Sequence, residues 1–269
     1  MSGQVEGKVA FITGAGRGQG RSHALTLARE GADIIATDIC APSGTDLYQF
    51  STPDDLEETA RLVKEMGRRV VTAHVDVRVR SQVKDAVDAG VAELGRLDIV
   101  LANAGIATIN RWDEVTEAVW DDHLAINTTG VWNTLTAGIP HLVAAGGGAM
   151  VATSSTLGIV GRPFFGPYVA SKHAVVGIMK SLAHEVAKHN IRINTVHPTG
   201  VDTPMLQGLG GMDGLFEKDP GFAQLFQNSL PVALVEAQDI SNAILFLVSD
   251  SGRYITGAQL PVDAGLTIR

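Results

Sequence analysis

Short apolar runs alternate with helical patterns along the whole chain, and this alternation predicts the fold. The runs are rich in β-branched residues and are apolar at nearly every position instead of every second one. Such continuity is typical of strands that are covered by helices on both faces of a sheet. Strands are expected at 8–14, 33–38, 69–76, 98–105, 148–155, 191–198 and 257–263. Helical patterns occupy Ser22–Glu30, Asp54–Met66, Ser81–Leu94, Val115–Ala145, Tyr168–His189 and Ala237–Ser249.

Repeated strand–helix units predict a parallel sheet whose strands are joined by right-handed crossovers. The expected architecture is therefore α/β, a doubly wound Rossmann fold with a parallel sheet of about seven strands. No Pro/Gly-rich linker, change of composition or internal repeat marks a boundary, so residues 1–269 are predicted to form a single domain.

Two segments interrupt the alternation. An insert at Ile39–Pro53 follows the second strand and contains Gly, Pro, Ser, Thr and two aromatic residues without a regular period. The segment Thr203–Leu230 contains five glycines among Met, Leu and Phe. Long irregular loops commonly act as lids or binding loops, so the second segment is a candidate substrate lid. A short helix pair packed on the body is an equally compatible interpretation of it.

Composition excludes several classes of function. The 269 residues carry a formal net charge of −8, which argues against a protein that follows nucleic-acid phosphates. No apolar run approaches the ~18 residues that a membrane span needs, and the N-terminal pattern is not that of a secretory signal. The single cysteine, Cys40, excludes an internal disulfide, and a cytoplasmic location is expected.

A glycine-rich turn, TGAGRGQG, lies between the first strand and the first helix. Gly14 allows the tight turn, Gly18 allows the backbone to approach a pyrophosphate, and Gly20 permits close packing of helix on strand. The N-terminus of the following helix offers unpaired N–H groups and a positive dipole end to phosphates. Glycine-rich turns often have no ligand-binding role, but the position of this turn between the first strand and the first helix favours a dinucleotide site.

Asp38 ends the second strand, about 20 residues after the turn, where an acid accepts hydrogen bonds from ribose hydroxyls. Its carboxylate would repel the 2′-phosphate of NADP, so NAD is the expected cofactor. Arg17 is the opposing signal because a guanidinium within the turn can bind that phosphate. Asp76 and Asn103 follow the third and fourth strands at the same edge of the sheet, where each is a candidate for cofactor contact or for capping a strand.

A group of polar residues carries the candidate chemistry. Tyr168 and Lys172, in YVASK, are spaced i, i+4 and therefore share one face of a helix. Ser155 lies thirteen positions before Tyr168 at the end of the fifth strand, and Asn127 occurs in LAINTTG. A Tyr/Lys pair alone is usually structural, whereas its combination with this serine and the glycine turn predicts a catalytic site.

With these motifs the chain resembles the short-chain dehydrogenases/reductases over essentially its whole length. The matching motifs are TGAGRGQG, Asp76–Val77, NAG at 103–105, Asn127, Ser155, YVASK and the Pro-x-Gly at 198–200. The resemblance implies a catalytic tetrad of Asn127, Ser155, Tyr168 and Lys172. Together with the turn and Asp38 it gives the expected cofactor contacts, namely Gly14, Arg17, Gly18, Gln19, Gly20, Asp38, Ile39, Asp76, Val77, Asn103, Ala104, Gly105, Tyr168, Lys172, Pro198, Gly200, Val201 and Thr203.

The implied reaction is oxidation of an alcohol, or its reverse, with Tyr168 as general acid/base. A phenol, with a pKa of about 10, is a poor base at neutral pH. The ammonium of Lys172 and the positive nicotinamide ring are expected to lower that pKa. Ser155 can hold the substrate oxygen, and the family implies that Asn127 positions a water that links Lys172 to solvent. His173 and His197 are interpreted as structural, and no cluster with metal-ligand spacing occurs, so no metal is expected.

The insert and the segment HPTGVDTPM resemble the subgroup related to carveol dehydrogenase, whose members are associated with the redox cofactor mycofactocin. That resemblance implies NAD that stays bound and is recycled in place by an external electron carrier. The insert is accordingly hypothesised to fold over the adenine end of NAD. The alternative is a surface excursion without function, because long loop insertions cost little free energy.

The expected substrate is a small hydrophobic secondary alcohol or its ketone, of a carveol-like or terpenoid kind. Candidate contacts are Leu157, Phe165, Leu206 and Leu209, which would line an apolar pocket. Packing of the lid against the body is an equally weighted explanation of these residues.

Two rival functions and an assembly state complete the expectations. An NADPH-dependent 3-oxoacyl or carbonyl reductase of the same family is disfavoured by Asp38. A non-catalytic NAD-sensing module, which could share the fold, is disfavoured by the intact Tyr168/Lys172 pair. Family analogy implies a homotetramer formed through Val115–Ala145, Tyr168–His189 and the C-terminal end, with neither nucleic acid nor membrane as a partner.

Overall fold

One seven-stranded parallel sheet organises the protein, as seen in a computed structural model that describes residues 3–42, 48–209 and 220–269. The strand order is β3-β2-β1-β4-β5-β6-β7, and all pairs are parallel. The predicted doubly wound α/β fold is therefore confirmed. The strands are β1 Val9–Thr13, β2 Asp33–Asp38, β3 Val70–His74, β4 Ile99–Ala102, β5 Gly148–Thr153, β6 Ile191–Pro198 and β7 Gln259–Val262.

Helices connect the strands and cover both faces of the sheet. Among the described residues, none of them is long and apolar enough to cross a membrane. The helices are α1 Gly18–Arg29, α2 Pro53–Glu65, α3 Arg80–Leu94, α4 Glu117–Leu124, α5 Gly130–Ala144, α6 Gly166–Val186, α7 Pro204–Gly208 and α8 Ala237–Val248.

Successive residues of each central strand contribute to two separate cores, as the pleat of a strand requires. Phe11 and Ile35 belong to a cluster with α3, α5 and α6, whereas Ile12 and Ile34 belong to a cluster with α1, α2 and α8. All four of these side chains are fully buried. The sheet is therefore sandwiched between two helical layers, which leaves the carboxyl ends of its parallel strands at one shared edge.

The edge strand β3 differs from the expectation that every strand is covered on both faces. Val70, Val71 and Ala73 are half-buried, and the polar residues Thr72 and His74 are exposed. The reason is topological, because β3 pairs with β2 alone and ends the sheet. An apolar run thus predicted the strand correctly and its burial incorrectly.

The helix expected over Val115–Ala145 is divided in the structure. α4 ends at Leu124, a π-helical turn spans Ala125–Thr129, and α5 follows from Gly130. The side-chain oxygen of Asn127, within this turn, accepts a hydrogen bond from the Ile106 backbone N–H at 2.8 Å. π-Helical turns are rare and occur often at functional sites, so the interruption is itself a marker of this region.

We predict that replacing Asp98 by Ala lowers the free energy of unfolding by about 1–3 kcal/mol, because it leaves a buried backbone N–H unpaired. Asp98 is 4% exposed, and its Oδ2 accepts from the Val9 N–H at 3.0 Å, which joins the starts of β4 and β1. The Arg96 guanidinium also donates to this carboxylate, at 2.6 and 2.8 Å. Urea unfolding followed by circular dichroism measures the effect. Asp113→Ala is the control, since its ion pair with Arg111 is exposed; equal losses in the two variants would contradict the prediction.

Candidate active site

The glycine turn forms the floor of a cleft at the carboxyl edge of the sheet, which we call the cofactor cleft. Gly14 and Gly18 have φ of 68° and 54°, a left-handed conformation that strains residues with a Cβ. A Cβ on Gly14 would lie 2.9 Å from the Ala104 Cα, and one on Gly20 would lie 1.9 Å from the Gly14 carbonyl oxygen. Close backbone approach therefore requires glycine at positions 14 and 20, whereas at position 18 the left-handed φ favours it.

The cofactor cleft has a volume of about 150 Å³ and brings together most residues assigned to cofactor binding. Pro198, Gly200 and Val201 lie instead on the wall of a neighbouring cavity, and Thr203 belongs to both walls. The expected contacts that line the cleft are Gly14, Arg17, Gly18, Gln19, Gly20, Asp38, Ile39, Asp76, Val77, Asn103, Ala104, Gly105 and Thr203.

Asp38 is buried at 8% exposure, and both oxygens of its carboxylate already accept hydrogen bonds from the chain. Oδ2 accepts from the Gly16 N–H at 2.9 Å, and Oδ1 accepts from the Cys40 N–H at 3.2 Å and from the Ser51 hydroxyl. Each carboxylate oxygen has about two acceptor positions, so Oδ2 retains one, and Asp38 lines the cleft. Asp38 thus fastens the insert to the glycine turn and keeps capacity for a hydroxyl donor.

The described part of the insert lines the same cleft through Tyr48, Phe50 and Ser51. The rings of Tyr48 and Phe50 stack with centroids 5.1 Å apart, and Tyr48 lies so close to Gly208 of α7 that a Cβ there would be 2.3 Å from the Tyr48 Cβ. The Arg17 guanidinium donates to the Gln49 carbonyl oxygen. Tyr48, Phe50 and Ser51 were not predicted as site residues. The signal available in the sequence was the pair of aromatic residues in a polar insert. Residues 43–47 of the insert lie outside the described residues.

Asn103 and Asp76 make the capping contacts that were considered as the alternative to cofactor binding. Asn103 Nδ2 donates to the carbonyl oxygens of Thr13 and Gly14, at 3.1 and 3.3 Å, and so joins the ends of β4 and β1. Asp76 forms an ion pair with Arg78 at 2.7 Å. Both residues nevertheless border the cofactor cleft, so capping and cofactor contact are compatible for them.

Lys172 and Tyr168 lie next to each other on the wall of the neighbouring cavity. Lys172 is 3% exposed, and its Nζ donates to the Thr153 carbonyl oxygen at 2.8 Å. The same nitrogen lies 5.5 Å from the centroid of the Tyr168 ring. The hydrogen bond from Lys172 to Thr153 joins α6 to the end of β5 and thereby fixes the position of the Tyr168 phenol.

The pKa values of this pair differ from the expectation. Burial raises the pKa of Tyr168 to about 12, and a hydrogen bond with Ser155 opposes that rise only in part. Burial also lowers the pKa of Lys172 to about 8. The expected lowering of the phenol pKa is therefore not a property of the protein chain alone, because desolvation of the phenolate outweighs the hydrogen bond with Ser155.

Ser155 is held from two sides. Its Oγ accepts from the Leu157 N–H at 3.1 Å, and its hydroxyl also forms the hydrogen bond with Tyr168. Its carbonyl oxygen lies 2.7 Å from Nδ1 of His197, which must be the donor, and His197 Nε2 lies 2.8 Å from the Thr195 hydroxyl. Burial lowers the pKa of His197, so the ring is neutral at pH 7. His197 is structural, as expected, but it supports a candidate catalytic residue directly.

Asn127 lines neither cavity and lies behind the site, fully buried. Its Nδ2 donates to the Ile106 carbonyl oxygen at 2.9 Å and to the Ser171 hydroxyl at 3.0 Å, while its Oδ1 accepts from the Ile106 N–H. The side-chain amide is thus occupied by the protein. A proton relay through a water at Asn127 would use its backbone carbonyl or the second acceptor position of Oδ1.

The second cavity, which we call the substrate cavity, has a volume of about 260 Å³ and opens beside Ser155, Tyr168 and Lys172. It shares Gln19, Asn103, Gly105 and Thr203 with the cofactor cleft, so the two spaces adjoin each other. The predicted substrate residues all line it, namely Leu157, Phe165, Leu206 and Leu209. The candidate lid at 203–230 contributes α7 and a 3₁₀ segment at Pro220–Phe226, and its residues 210–219 lie outside the described residues.

Known proteins share the sequence over nearly the whole chain. A family model described as enoyl-(acyl carrier protein) reductase matches residues 14–267. The (−)-trans-carveol dehydrogenase of Rhodococcus erythropolis is 46% identical over 99% of each chain.

Two crystal structures share the fold. The carveol dehydrogenase of Mycobacterium avium in complex with NAD has a TM-score of 0.93 and 49% identity, covering 99% of this chain and all of the other. A short chain dehydrogenase of Mycobacterium paratuberculosis bound to NAD has a TM-score of 0.96 and 46% identity with the same coverage.

We predict that the only cysteine of the chain, Cys40, reacts slowly with thiol reagents in the folded protein. Burial, followed by the negative charges of Asp38 and Asp55, raises the pKa of its thiol to about 12. Because the thiolate is the reactive form, alkylation at pH 8 should be about 10³-fold slower than for a thiol with a pKa of 9. The rate should rise about tenfold per pH unit between pH 7 and 9.5. Iodoacetamide labelling followed by mass spectrometry measures it, with urea-unfolded protein as control; rapid labelling of folded protein at pH 7 would contradict the prediction.

Proposed function

This chain belongs to the short-chain dehydrogenase/reductase family, and we propose that it is an NAD-dependent alcohol dehydrogenase. Its proposed reaction interconverts a small hydrophobic secondary alcohol and the corresponding ketone, with Tyr168 as general acid/base. The observation that carries the proposal is the convergence of Tyr168, Lys172 and Ser155 on an apolar cavity that adjoins the cofactor cleft. The carveol dehydrogenases among its relatives support this class of substrate.

The residues of the cofactor cleft fit NAD. The glycine turn leaves backbone uncovered where phosphates bind, and the Asp38 carboxylate is available to a ribose hydroxyl. The buried Oε1 of Gln19, on the wall shared with the substrate cavity, has no hydrogen-bond partner within the described protein. A buried unpaired acceptor costs free energy and is suited to a polar ligand group. When bound, NAD would accept a hydride from the alcohol or deliver one to the ketone.

In the direction of oxidation, the protein handles the hydroxyl proton. Tyr168 accepts this proton as the carbinol C–H bond breaks and the carbonyl group forms. Ser155 donates a hydrogen bond to the same substrate oxygen, while its Oγ accepts from the Leu157 N–H. Lys172 holds a positive charge near the phenol. Reduction of the ketone follows the same path backwards, with Tyr168 donating the proton.

NAD is favoured over NADP by the surroundings of Asp38. A 2′-phosphate would lie against a buried carboxylate, which is repulsive. Arg17, the residue that could compensate, donates instead to the Gln49 carbonyl oxygen of the insert. This arrangement disfavours the NADPH-dependent 3-oxoacyl or carbonyl reductase considered as the rival function. The intact Tyr168/Lys172 pair likewise disfavours a non-catalytic NAD-sensing module.

The insert is proposed to retain NAD, and mycofactocin is proposed as the external carrier that recycles it. Two observations support this proposal. Tyr48, Phe50 and Ser51 line the cofactor cleft, and Tyr48 packs closely against Gly208 of α7.

The proposed assembly is a homotetramer, and the proposed location is the cytoplasm. Trp120 and Trp132, on the helices assigned to the interface, are 41% and 39% exposed. Large exposed apolar side chains of this kind are frequent at interfaces. The proposal of a cytoplasmic location is supported by the cysteine content, since a chain with one cysteine forms no internal disulfide.

We predict that Tyr168→Phe reduces turnover of a cyclic secondary alcohol by about 10²–10⁴-fold while NAD still binds, because the change removes only the proton acceptor. Steady-state kinetics and fluorescence titration with NADH measure the two properties. Tyr254→Phe is the matched control, since Tyr254 is 89% exposed, and it should leave both unchanged. Undiminished turnover in the Tyr168 variant would refute the proposed mechanism.

We predict that the purified protein keeps NAD through desalting and that Ser51→Ala releases it about 3- to 10-fold faster. The expected size corresponds to one hydrogen bond, here the one from Ser51 to Asp38. Native mass spectrometry measures occupancy, and displacement of bound NADH by excess NAD measures release. Ser81→Ala, the same change on the exposed face of α3, should have no effect. Retention is contradicted if the native protein performs rapid multiple turnovers with free exchange of NAD and NADH.

A further inference from the structure

The wall of the substrate cavity has a one-sided charge distribution. Two cationic side chains, Lys172 and Arg162, line it, and no carboxylate occurs among the described residues of its wall. The chain as a whole carries a net charge of −8, so an excess of positive side chains here opposes the general trend. Lys172 is accounted for by Thr153 and Tyr168. Arg162 has no role in the proposed mechanism.

Arg162 is poorly satisfied by the protein. Its Nη1 donates to the Gly161 carbonyl oxygen at 3.2 Å, and its Nε–H is buried without a hydrogen-bond partner. No ion pair links it to a carboxylate of the described residues. A buried donor that lacks a partner is unfavourable, and an unpaired charge beside an apolar wall is more so. The Nε–H is shielded, but the two terminal nitrogens carry four N–H donors, of which Gly161 takes one, and Arg162 lines the cavity.

The loop that carries Arg162 has a defined and strained conformation. Phe164 has a φ of 70°, which is rare for a bulky residue and persists only where the surroundings hold it. Its carbonyl oxygen accepts from the Asn110 N–H at 2.9 Å, and its ring packs edge-on against Phe222 at 5.3 Å. The neighbouring Phe165 turns into the cavity, 6.2 Å from the Tyr168 ring. The same loop thus presents a cation and an aromatic wall to one space.

We propose that Arg162 is a specificity-determining residue that binds a carboxylate carried by the substrate, at the end away from the carbinol. The apolar body of such a hydroxy acid would lie against Leu157, Phe165 and Leu206, which line the same cavity. A guanidinium matches the planar geometry of a carboxylate through paired N–H donors, which an ammonium cannot do. The carboxylate takes no part in the chemistry, and only the carbinol is oxidised. This inference rests on the proposed function, because it assigns a substrate class to the same site.

The experiment compares trans-4-hydroxycyclohexanecarboxylate with trans-4-methylcyclohexanol as substrates for native protein, Arg162→Gln and Arg162→Lys. Native protein should have a kcat/KM for the carboxylate about 10- to 100-fold above that for the neutral alcohol, mainly through KM. Arg162→Gln should abolish this preference, and Arg162→Lys should retain part of it because the charge remains without the fork. Arg29→Gln, which removes an equal charge from the exposed end of α1, should keep the full preference.

A binding measurement separates failure of this inference from failure of the proposed function. Cyclohexanecarboxylate has no hydroxyl to oxidise, so calorimetric titration of NAD-loaded protein reports on the carboxylate contact alone. Tighter binding of cyclohexanecarboxylate than of methylcyclohexane by native protein, lost in Arg162→Gln, supports the inference even if neither alcohol is oxidised. Equal kcat/KM for the two alcohols in native protein, or a preference that survives in a folded Arg162→Gln variant, overturns it. Should Arg162→Gln fail to fold, the native preference and the Arg162→Lys variant decide.

Discussion

The site depends on the buried hydrogen bond between Lys172 and the Thr153 carbonyl oxygen. This bond fastens α6 to the end of β5 and places the amine beneath the Tyr168 ring. The same burial that fixes the geometry also shifts the chemistry, because it raises the pKa of the phenol to about 12 and lowers that of the amine to about 8. The protein chain alone therefore stabilises the protonated phenol. A positive charge supplied by a bound cofactor would favour the phenolate, so proton transfer and cofactor binding are coupled.

Close backbone approach is the second constraint on the site. Gly14 leaves room for Ala104, and Gly20 packs against the Gly14 carbonyl oxygen, so the turn can lie directly on the edge of the sheet. The cofactor cleft and the substrate cavity consequently share a wall that includes Gln19 and Thr203. A dinucleotide in one space and an alcohol in the other would meet at this wall, beside Ser155.

The irregular insert that follows Asp38 folds back onto the cofactor cleft. Ser51 donates to the Asp38 carboxylate, and the Gln49 carbonyl oxygen accepts from Arg17. Each contact is a hydrogen bond with a net contribution of about 0.5–1.5 kcal/mol, and together they join the insert to the glycine turn and to the end of β2. The acid that disfavours NADP and the arginine that would favour it thus both contact the same segment.

The local pattern of the chain was sufficient for the fold and for most residues of the candidate site. β2 and β6 begin and end at the residues that the apolar runs indicate. The cofactor cleft is lined by the glycine turn and Asp38, and the substrate cavity by Ser155, Tyr168 and Lys172. Periodicity and motif spacing are local properties, so they can be recognised without knowledge of distant contacts.

Long-range packing decided the remaining features. The π-helical turn at Asn127 depends on the backbone of Ile106, and the part-exposed β3 depends on its place at the edge of the sheet. Arg162 became a candidate only when its loop proved to line the substrate cavity with a buried N–H unpaired. The balance of burial and charge at Tyr168 likewise depends on every element around it. Such features arise from segments that are distant in sequence and meet only in the folded chain, because crossover connections and helix packing bring their ends together at one edge of the sheet.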